Sequence, residues 1–239
     1  MPSPAQVQEA QDRARAQFRA WYHHPRAAVV DTEATGLEGR AFVFDFAAVP
    51  VATGLPTPAP LLSFLCTPPA DAEWSDAARA MHTDRLTWAA RCGIEAYSSP
   101  LLEVLSTFPV LAYGAEYDRD RLRFTLTEAG CPSEFPDFSC VKEAYAPLAE
   151  KWSESRGFWK FVSLEEACRR EGVDIGDLQR HTAYGDAVAT ARLIRAVATS
   201  AKASARDNAW PFEERLSDVL DLGSWTQTES THSDKKEPN

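Results

Sequence analysis

The 239-residue chain lacks long apolar runs and has few cysteines. No segment approaches the roughly 18 consecutive apolar residues that a membrane-spanning helix needs. The polar N-terminal segment lacks the apolar core that is typical of a signal peptide. The five cysteines are odd in number and none has C-x-x-C spacing, which disfavours a disulfide framework or a zinc site. We therefore expect a cytoplasmic protein with reduced thiols and no membrane contact.

Positive charge is also scarce. The chain has 25 lysines and arginines against 35 aspartates and glutamates, a formal net charge of -10. Proteins that hold nucleic acid by neutralising many phosphates are usually basic, so a long, high-affinity grip on a duplex is disfavoured. The acidity fits a cluster of metal-binding carboxylates. It is also compatible with a short nucleic-acid substrate that meets the protein through bound cations.

The first part of the chain predicts a helix followed by three strands. Residues 5–22 are rich in Ala, Gln, Arg and Glu, which favour helix. Apolar segments typical of strands follow at 27–33, 41–51 and 60–67. The connections between these segments are short, which favours antiparallel pairing.

The second part alternates helices with short strands. Strands are predicted at 109–114 and within 135–145. Helices are predicted at 71–92, 100–108, 117–130, 163–172 and 184–198. Ser163 and Glu166 fit a capping box, and Gly130 is a helix stop. The pattern is that of an α/β fold.

Three regions follow from this organisation. We predict an N-terminal helical extension over residues 1–24 and a main domain over 25–200. A C-terminal extension over 201–239 follows, and its last residues have the polar composition of a disordered tail.

Two carboxylates, Asp31 and Glu33, stand at the end of a segment that should form a buried strand. Residues i and i+2 of a strand point to the same face, so both carboxylates share the face of Val29. A buried carboxylate is costly unless it is paired, hydrogen-bonded or bound to a metal. The pair therefore needs a partner.

Two more carboxylates occupy comparable positions. Asp186 lies beside the apolar stripe of the last predicted helix, and Asp118 comes just after the strand 109–114. Functional groups of α/β sheets gather beyond the ends of the strands. His181 lies five residues before Asp186, a spacing that takes it off the same helix face and into the preceding loop.

Three motifs together resemble those of the DEDDh 3′→5′ exonucleases, in that family's order. They are D-T-E-A-T-G-L at 31–37, Y-D at 117–118 and H-T-A-Y-G-D at 181–186. The resemblance spans about residues 27–197 and implies a ribonuclease-H-like fold, a mixed five-stranded sheet with helices on both faces. It also implies an enzyme that releases nucleoside 5′-monophosphates from the 3′ end of single-stranded nucleic acid. DNA is the favoured substrate, with a role in DNA replication, proofreading or repair.

The resemblance also implies a role for each motif residue. Two divalent cations, Mg²⁺ or Mn²⁺, would bind Asp31, Glu33, Asp118 and Asp186, and His181 would act as general base. Mg²⁺ prefers hard oxygen ligands, and two such ions can activate water and stabilise charge on a phosphate. A histidine near neutral pKa can accept the proton of the water.

The segment after Glu33 is expected to contact the 3′-terminal nucleoside through Ala34, Thr35, Gly36 and Leu37. Gly36 would permit a tight turn there. One position departs from the family pattern: Gly114 stands where many members carry an asparagine. This departure leaves the proposed metal ligands intact and affects only a substrate contact.

Two alternatives remain open. The first is an exoribonuclease of the same family. The second is a catalytically silent subunit that binds nucleic acid or a polymerase; loss of a carboxylate or of the histidine would mark it, and all five residues are present. The C-terminal tail could dock a polymerase or another protein. Asp45 is interpreted as structural, and His82 as either structural or close to the nucleotide.

Overall fold

The computed structural model describes residues 2–52 and 55–200. A five-stranded sheet with the order β3-β2-β1-β4-β5 forms its centre. Its strands are β1 Ala28–Ala34, β2 Val43–Pro50, β3 Leu62–Leu65, β4 Val110–Ala112 and β5 Ser139–Cys140. Strands β1, β2 and β3 pair antiparallel, as predicted, whereas β4 runs parallel to β1 and β5 parallel to β4. The sheet is therefore mixed.

Helices and a small hairpin surround this sheet. The described α-helices are α1 Pro4–His23, α2 Asp76–Leu86, α3 Ser98–Thr107, α4 Ala115–Glu128, α5 Val141–Tyr145, α6 Leu164–Arg170 and α7 Ala183–Thr199. The hairpin pairs β6 Trp152–Ser153 with β7 Phe158–Trp159, and its strands are antiparallel. This hairpin was not predicted from the sequence.

Successive side chains of β1 enter two cores on opposite faces of the sheet. Val29 packs in the core that α1, α6 and α7 share, and there Phe18 and Trp21 of α1 are buried. Val30 packs in the core that α3 and α4 share. Helices thus cover both faces, as predicted. Since side chains alternate along a strand, Asp31 and Glu33 lie on the face of Val29, under α7.

The predicted helix over 71–92 is wrong at both ends, because α2 covers only part of it. Ser75 caps the helix by accepting a hydrogen bond from the Ala78 N–H. After Leu86 the chain turns back, and the Ala90 N–H donates to the Leu65 carbonyl at the end of β3. Pairing with the sheet edge therefore replaces the last predicted turns.

Other helix ends follow their sequence signals. Ser163 accepts a hydrogen bond from the Glu166 N–H at the start of α6, but only this half of the predicted capping box forms because the Glu166 carboxylate has other partners. The Glu166 carboxylate accepts from Arg169 and Arg170. Gly130, with a φ of 67°, follows the end of α4 in the left-handed conformation common at helix stops.

All five cysteines are free, as predicted. None of the helices within residues 2–52 and 55–200 combines the length and the apolar character that crossing a bilayer requires. The predicted C-terminal extension over 201–239, with its tail and the protein docking expected there, lies outside the described residues.

Candidate metal centre

Three carboxylates from two elements meet above β1. Asp31 and Glu33 come from β1 and Asp186 from the first turn of α7, and each offers an oxygen within 4.8 Å of the others. Helix α7 packs across β1 and β2, which brings its first turn over the end of β1. Thr182 fixes that turn because its side chain accepts a hydrogen bond from the Gly185 N–H. The group contains only carboxylate oxygens, the hard donors that Mg²⁺ and Mn²⁺ prefer.

Asp118 reaches the same strand from the opposite face. It lies in the first turn of α4 with only 3% of its surface exposed. Its Oδ1 accepts hydrogen bonds from the Thr32 backbone N–H at 3.1 Å and from the Thr32 hydroxyl at 2.8 Å. Thr32 lies between Asp31 and Glu33, so all four predicted carboxylates gather around β1. Asp118 is held beside the close group of three and is not a member of it.

The electrostatics of this cluster favour an added cation. Burial raises the pKa of Asp31, and the neighbouring Asp118 and Glu33 carboxylates raise it further. Burial also raises the pKa of Glu33 to about 8 and that of Asp118 to about 7, although the Thr32 hydrogen bonds oppose the shift at Asp118. Buried like charges disfavour ionisation. A divalent cation bound here would offset the repulsion and displace protons from the carboxyl groups.

Two basic side chains of the protein already lie beside the cluster, and neither was predicted from the sequence. Arg180 donates from Nε to Asp186 Oδ1 at 2.9 Å. The ammonium of Lys142 lowers the pKa of Asp118 against the effect of burial. A Cβ added at Gly114 would lie 3.8 Å from Lys142 Nζ and 4.0 Å from Asp118 Oδ2. A side chain at position 114 would therefore extend towards both Lys142 and Asp118.

Arg180 adjoins the H-T-A-Y-G-D motif, so its closeness to Asp186 had a signal in the sequence. Lys142 had none, because it lies 24 positions beyond Asp118 and follows a two-residue strand. Only the tertiary fold brings it to the carboxylates.

His181 lies in the loop before α7, as predicted. It is exposed, and its φ of 56° is left-handed. Its imidazole does not belong to the group of three carboxylates. A Cβ at Gly185 would collide with the Gln179 carbonyl, so glycine there lets the loop lie directly against the first turn of α7. The backbone therefore carries Arg180 and His181 at the rim of the cluster.

A buried ion pair lies next to the carboxylate cluster. Asp45 stands opposite Glu33 in the β1–β2 register and is 3% exposed. Its Oδ2 accepts a hydrogen bond from the Ala183 N–H at 3.0 Å and lies 2.7 Å from Arg85 Nη1. Asp45 thereby ties β2 to the first turn of α7 and to α2. This agrees with its structural interpretation.

His82 is also buried, at 2% exposure, on the other side of Glu33. Its Nε2 lies 3.5 Å from Glu33 Oε2, and its ring packs edge-on against Phe44 with centroids 5.1 Å apart. Burial, and then the nearby Arg85, lower the pKa of His82, which favours the neutral imidazole. Its Nδ1 has no hydrogen-bond partner among the described residues. Its burial and its packing against Phe44 fit a structural role, and the contact with Glu33 places it beside the carboxylates. A role near the nucleotide stays a prediction.

The segment after Glu33 presents one side chain to solvent. Leu37 is 78% exposed, whereas Thr35 is fully buried and its Oγ1 accepts a hydrogen bond from the Phe42 N–H. Tyr117 donates its hydroxyl proton to the Gly36 carbonyl. The expected tight turn at Gly36 is wrong: the left-handed residue of this loop is Gly39, and a Cβ at Gly36 would meet only ordinary contacts.

Comparisons with known proteins show which solved structures share this fold. No protein-family model and no curated protein matches the chain. A solved 3′-exonuclease that recognises the 3′ end of a histone mRNA stem-loop matches with a TM-score of 0.56 and 14% identity, over 75% of this chain and 65% of that one. The nuclease domain of 3′hExo, a DEDDh family member bound to rAMP, matches with a TM-score of 0.53 and 14% identity, over 72% and 92%.

A bacterial structure shows the same likeness. Exonuclease I of E. coli, in complex with a dA16 oligonucleotide, matches with a TM-score of 0.52 and 18% identity. The match covers 72% of this chain and 41% of exonuclease I, so the chain spans less than half of that protein and about two thirds of the stem-loop-binding enzyme. The mixed sheet, the helices on both faces and these neighbours agree: the chain has the ribonuclease-H-like fold of the DEDDh 3′-exonucleases.

Proposed function

We propose that this protein is a metal-dependent exonuclease that removes nucleoside 5′-monophosphates from the 3′ end of single-stranded nucleic acid, with DNA as the favoured substrate. The observation that carries the proposal is the convergence of Asp31, Glu33 and Asp186 within 4.8 Å, with Asp118 held beside them. Such a group is costly without cations. Its donors suit the ions that phosphodiester hydrolysis uses.

The carboxylates would hold two divalent cations, Mg²⁺ or Mn²⁺. The motif resemblance implies that Glu33 and Asp186 would hold one cation, Asp118 the other, and Asp31 both. The oxygens of Asp31, Glu33 and Asp186 lie within 4.8 Å of one another. When bound, the cations would acidify the attacking water and offset charge on the scissile phosphate. The protein keeps the ligands in place: Thr32 orients Asp118 through two hydrogen bonds.

His181 would accept the proton of the attacking water. It sits on an exposed loop beside Asp186, and Gly185 lets that loop lie close to the helix. The role requires the imidazole to turn over the carboxylates when substrate is bound, a rotation that an exposed side chain can make.

The terminal nucleoside would lie against the segment 34–37. Leu37 is the side chain of this segment that solvent reaches, so it would supply the apolar contact with the base. Thr35 and Gly36 would shape the segment through their bonds to Phe42 and Tyr117, and Ala34 would line its start.

An exoribonuclease is the second candidate. It is favoured by the likeness to the enzyme that recognises a histone mRNA stem-loop. A catalytically silent subunit is disfavoured, because the carboxylates are gathered rather than dispersed. A role in DNA replication or repair, and a cytoplasmic location, stay predictions.

End-labelled oligonucleotides test this function. Matched DNA and RNA 20-mers carrying a 5′ or a 3′ label are incubated with Mg²⁺, Mn²⁺ or EDTA. We expect a ladder shortening from the 3′ end, release of labelled mononucleotide from the 3′ label, and no reaction in EDTA. Faster loss of the DNA strand supports the favoured substrate, and faster loss of RNA the second candidate. Intact strands with every metal would contradict both.

A further inference from the structure

The hairpin β6–β7 and the residues that follow it expose aromatic rings beside the carboxylates. Phe158 is 40% exposed and Phe161 is 49% exposed. Their ring centroids lie 6.3 Å apart with the planes tilted by 33°. Exposed phenylalanines in a pair are unusual on a solvated surface and typically mark an interaction site.

Contacts within the hairpin and with the sheet order the segment that carries these rings. Trp152 and Trp159 pack edge to face across its two strands, with centroids 5.1 Å apart. The Lys160 N–H donates to the Lys151 carbonyl. The Tyr113 hydroxyl donates to the Val162 carbonyl, which ties the end of this segment to the strand β4 side of the sheet. The exposed rings are therefore presented by ordered backbone.

Lys142 links this surface to the candidate metal centre. Its Nζ lies 5.4 Å from the centroid of the Phe161 ring, a cation–π distance. The same Nζ lies next to Gly114 and acts on the pKa of Asp118. Phe161 is thus separated from a carboxylate of the site by a single side chain.

The charge around the rings is opposite to that of the chain as a whole. Residues 151–161 carry three basic side chains, those of Lys151, Arg156 and Lys160, and one acidic side chain, that of Glu154, in a chain of net charge -10. Arg156 and Lys160 are exposed. Aromatic faces for bases together with cations for phosphates are the combination that binds single strands without sequence preference.

We propose that Phe158, Phe161, Lys160 and Arg156, joined to the site through Lys142, bind the part of a single-stranded nucleic acid that lies upstream of its 3′-terminal nucleotide. The bases would stack on the two phenylalanine rings, and the phosphates would meet the basic side chains. This surface, the aromatic track, deepens the proposed function and rests on it. It predicts that affinity grows with strand length beyond the 3′-terminal nucleotide that the carboxylate site holds.

Binding is measured by anisotropy with 5′-labelled oligothymidylates of 3, 6, 9 and 12 nucleotides, using full-length Asp186→Asn protein in Mg²⁺. In the Phe158→Ala/Phe161→Ala variant of this protein, we expect affinity for the 12-mer to fall about tenfold or more and affinity for the 3-mer to change less than twofold. Phe158→Trp/Phe161→Trp should retain 12-mer binding. Phe158→Leu/Phe161→Leu, which keeps apolar bulk without an aromatic face, should not.

Two variants with the same change of charge, one in the aromatic track and one outside it, test the phosphate contacts. Lys160→Glu should weaken 12-mer binding severalfold and make it less sensitive to salt. Arg13→Glu makes the same charge change on α1, where the side chain is 77% exposed, and should leave 12-mer binding within twofold of the parent. Near-UV circular dichroism of the Trp152–Trp159 pair checks that the hairpin is intact in each variant.

The outcomes separate this proposal from the exonuclease function. Suppose that the wild-type protein cleaves 3-mers and 12-mers. The aromatic track is then refuted, and the exonuclease function stands, if the affinity of the Asp186→Asn protein is independent of strand length. The same conclusion holds if its Phe158→Ala/Phe161→Ala variant binds the 12-mer as tightly as the parent does. If no oligonucleotide is cleaved under any metal but length-dependent binding depends on the two rings, the exonuclease function fails and the track stands. Equal weakening by Lys160→Glu and Arg13→Glu would contradict the track, because net charge alone would then explain binding.

Discussion

Glu33 and Asp45 face each other across β1 and β2, and both are carboxylates shielded from water. Burial raises the pKa of Asp45, but Arg85 and the Ala183 N–H contact this carboxylate and oppose the rise. Glu33 instead lies among carboxylates: burial raises its pKa most, followed by Asp186 and then Asp45. A buried acid that the protein satisfies holds the fold together, whereas one left among like charges needs a cation from outside. The contrast separates a structural carboxylate from a site carboxylate within one pair of strands.

The largest effect is expected where a site carboxylate is made neutral. Asp31→Asn and Asp186→Asn each remove one cation ligand and keep the side-chain size. We expect cleavage to fall at least about a thousandfold in both variants, since metal activation of water is lost. In EDTA the thermal midpoint of Asp31→Asn should stay the same or rise because repulsion is relieved, whereas Asp186→Asn also loses its ion pair with Arg180 and should gain no stability. Single-turnover rates and calorimetric melting measure the two quantities. Near-normal cleavage by the Asp186→Asn variant would show that Asp186 does not belong to the catalytic site.

The opposite result is expected at the neutralised carboxylate. Asp45→Asn leaves Arg85 unpaired and weakens the bond to Ala183. We expect a loss of about 2 kcal/mol in unfolding free energy, below the usual 3–5 kcal/mol because the Arg85 side chain is 23% exposed. Urea denaturation in EDTA measures it. Asp177→Asn is the control. The Asp177 side chain, which pairs with Arg192, is 57% exposed, and we expect a clearly smaller loss than for Asp45→Asn.

The pH dependence of stability sharpens the same contrast. The pKa of Glu33 is 4.5 ordinarily and about 8 in the folded protein, so the folded state holds a proton that the unfolded chain releases between these values. Its contribution is full below pH 4.5 and is lost as the pH rises through 8. In EDTA we expect the Glu33 contribution to lower the thermal midpoint between about pH 5 and pH 8 and to level off above that range. In the Glu33→Gln variant, the thermal midpoint should decline less over the same pH range.

Mg²⁺ should reverse the trend, because the cation binds the ionised carboxylates and competes with protons. The rise in thermal midpoint that saturating Mg²⁺ produces is therefore expected to be larger at pH 9 than at pH 6. A larger rise at pH 6, or none at either pH, would show that these carboxylates do not bind the ion.

The smallest effect is expected at the position that departs from the family pattern. Gly114→Asn adds a side chain towards Lys142 Nζ and Asp118 Oδ2, where a Cβ alone would stand 3.8 and 4.0 Å away. We expect a change of a few fold in KM with kcat less affected, because the metal ligands remain. Steady-state cleavage of a DNA trinucleotide measures it, with Gly172→Asn, distant in the chain and after α6, as control. A loss of cleavage comparable to that of Asp186→Asn would contradict this view of Gly114.

The sequence predicted the parts of the site that local pattern determines. Residues i and i+2 of a strand share a face, so the strand period alone pairs Asp31 with Glu33. Apolar runs predicted the three strands, their short connections predicted the antiparallel pairing, and helical spacing placed Asp186 on α7. The mixed five-stranded character of the sheet came from the family resemblance, and the structure confirms it. The order of the strands was not predicted.

What the sequence missed depends on tertiary placement. Lys142 and Arg85 reach the cluster from elements that carry no motif, and their neighbours are fixed only when the helices pack. The β6–β7 hairpin has strands of two residues each, too short for a period-two pattern to be recognised. The helix over 71–92 was predicted too long because pairing with the sheet edge overrides helix propensity there.

The most direct test of the central claim is an anomalous difference map from a crystal of the wild-type protein soaked in Mn²⁺ at about pH 8.5, where the cation competes with fewer protons. We expect a manganese peak about 2.1 Å from carboxylate oxygens of Asp31, Glu33 and Asp186. A well-ordered map with those oxygens in place and no peak among them would contradict the claim.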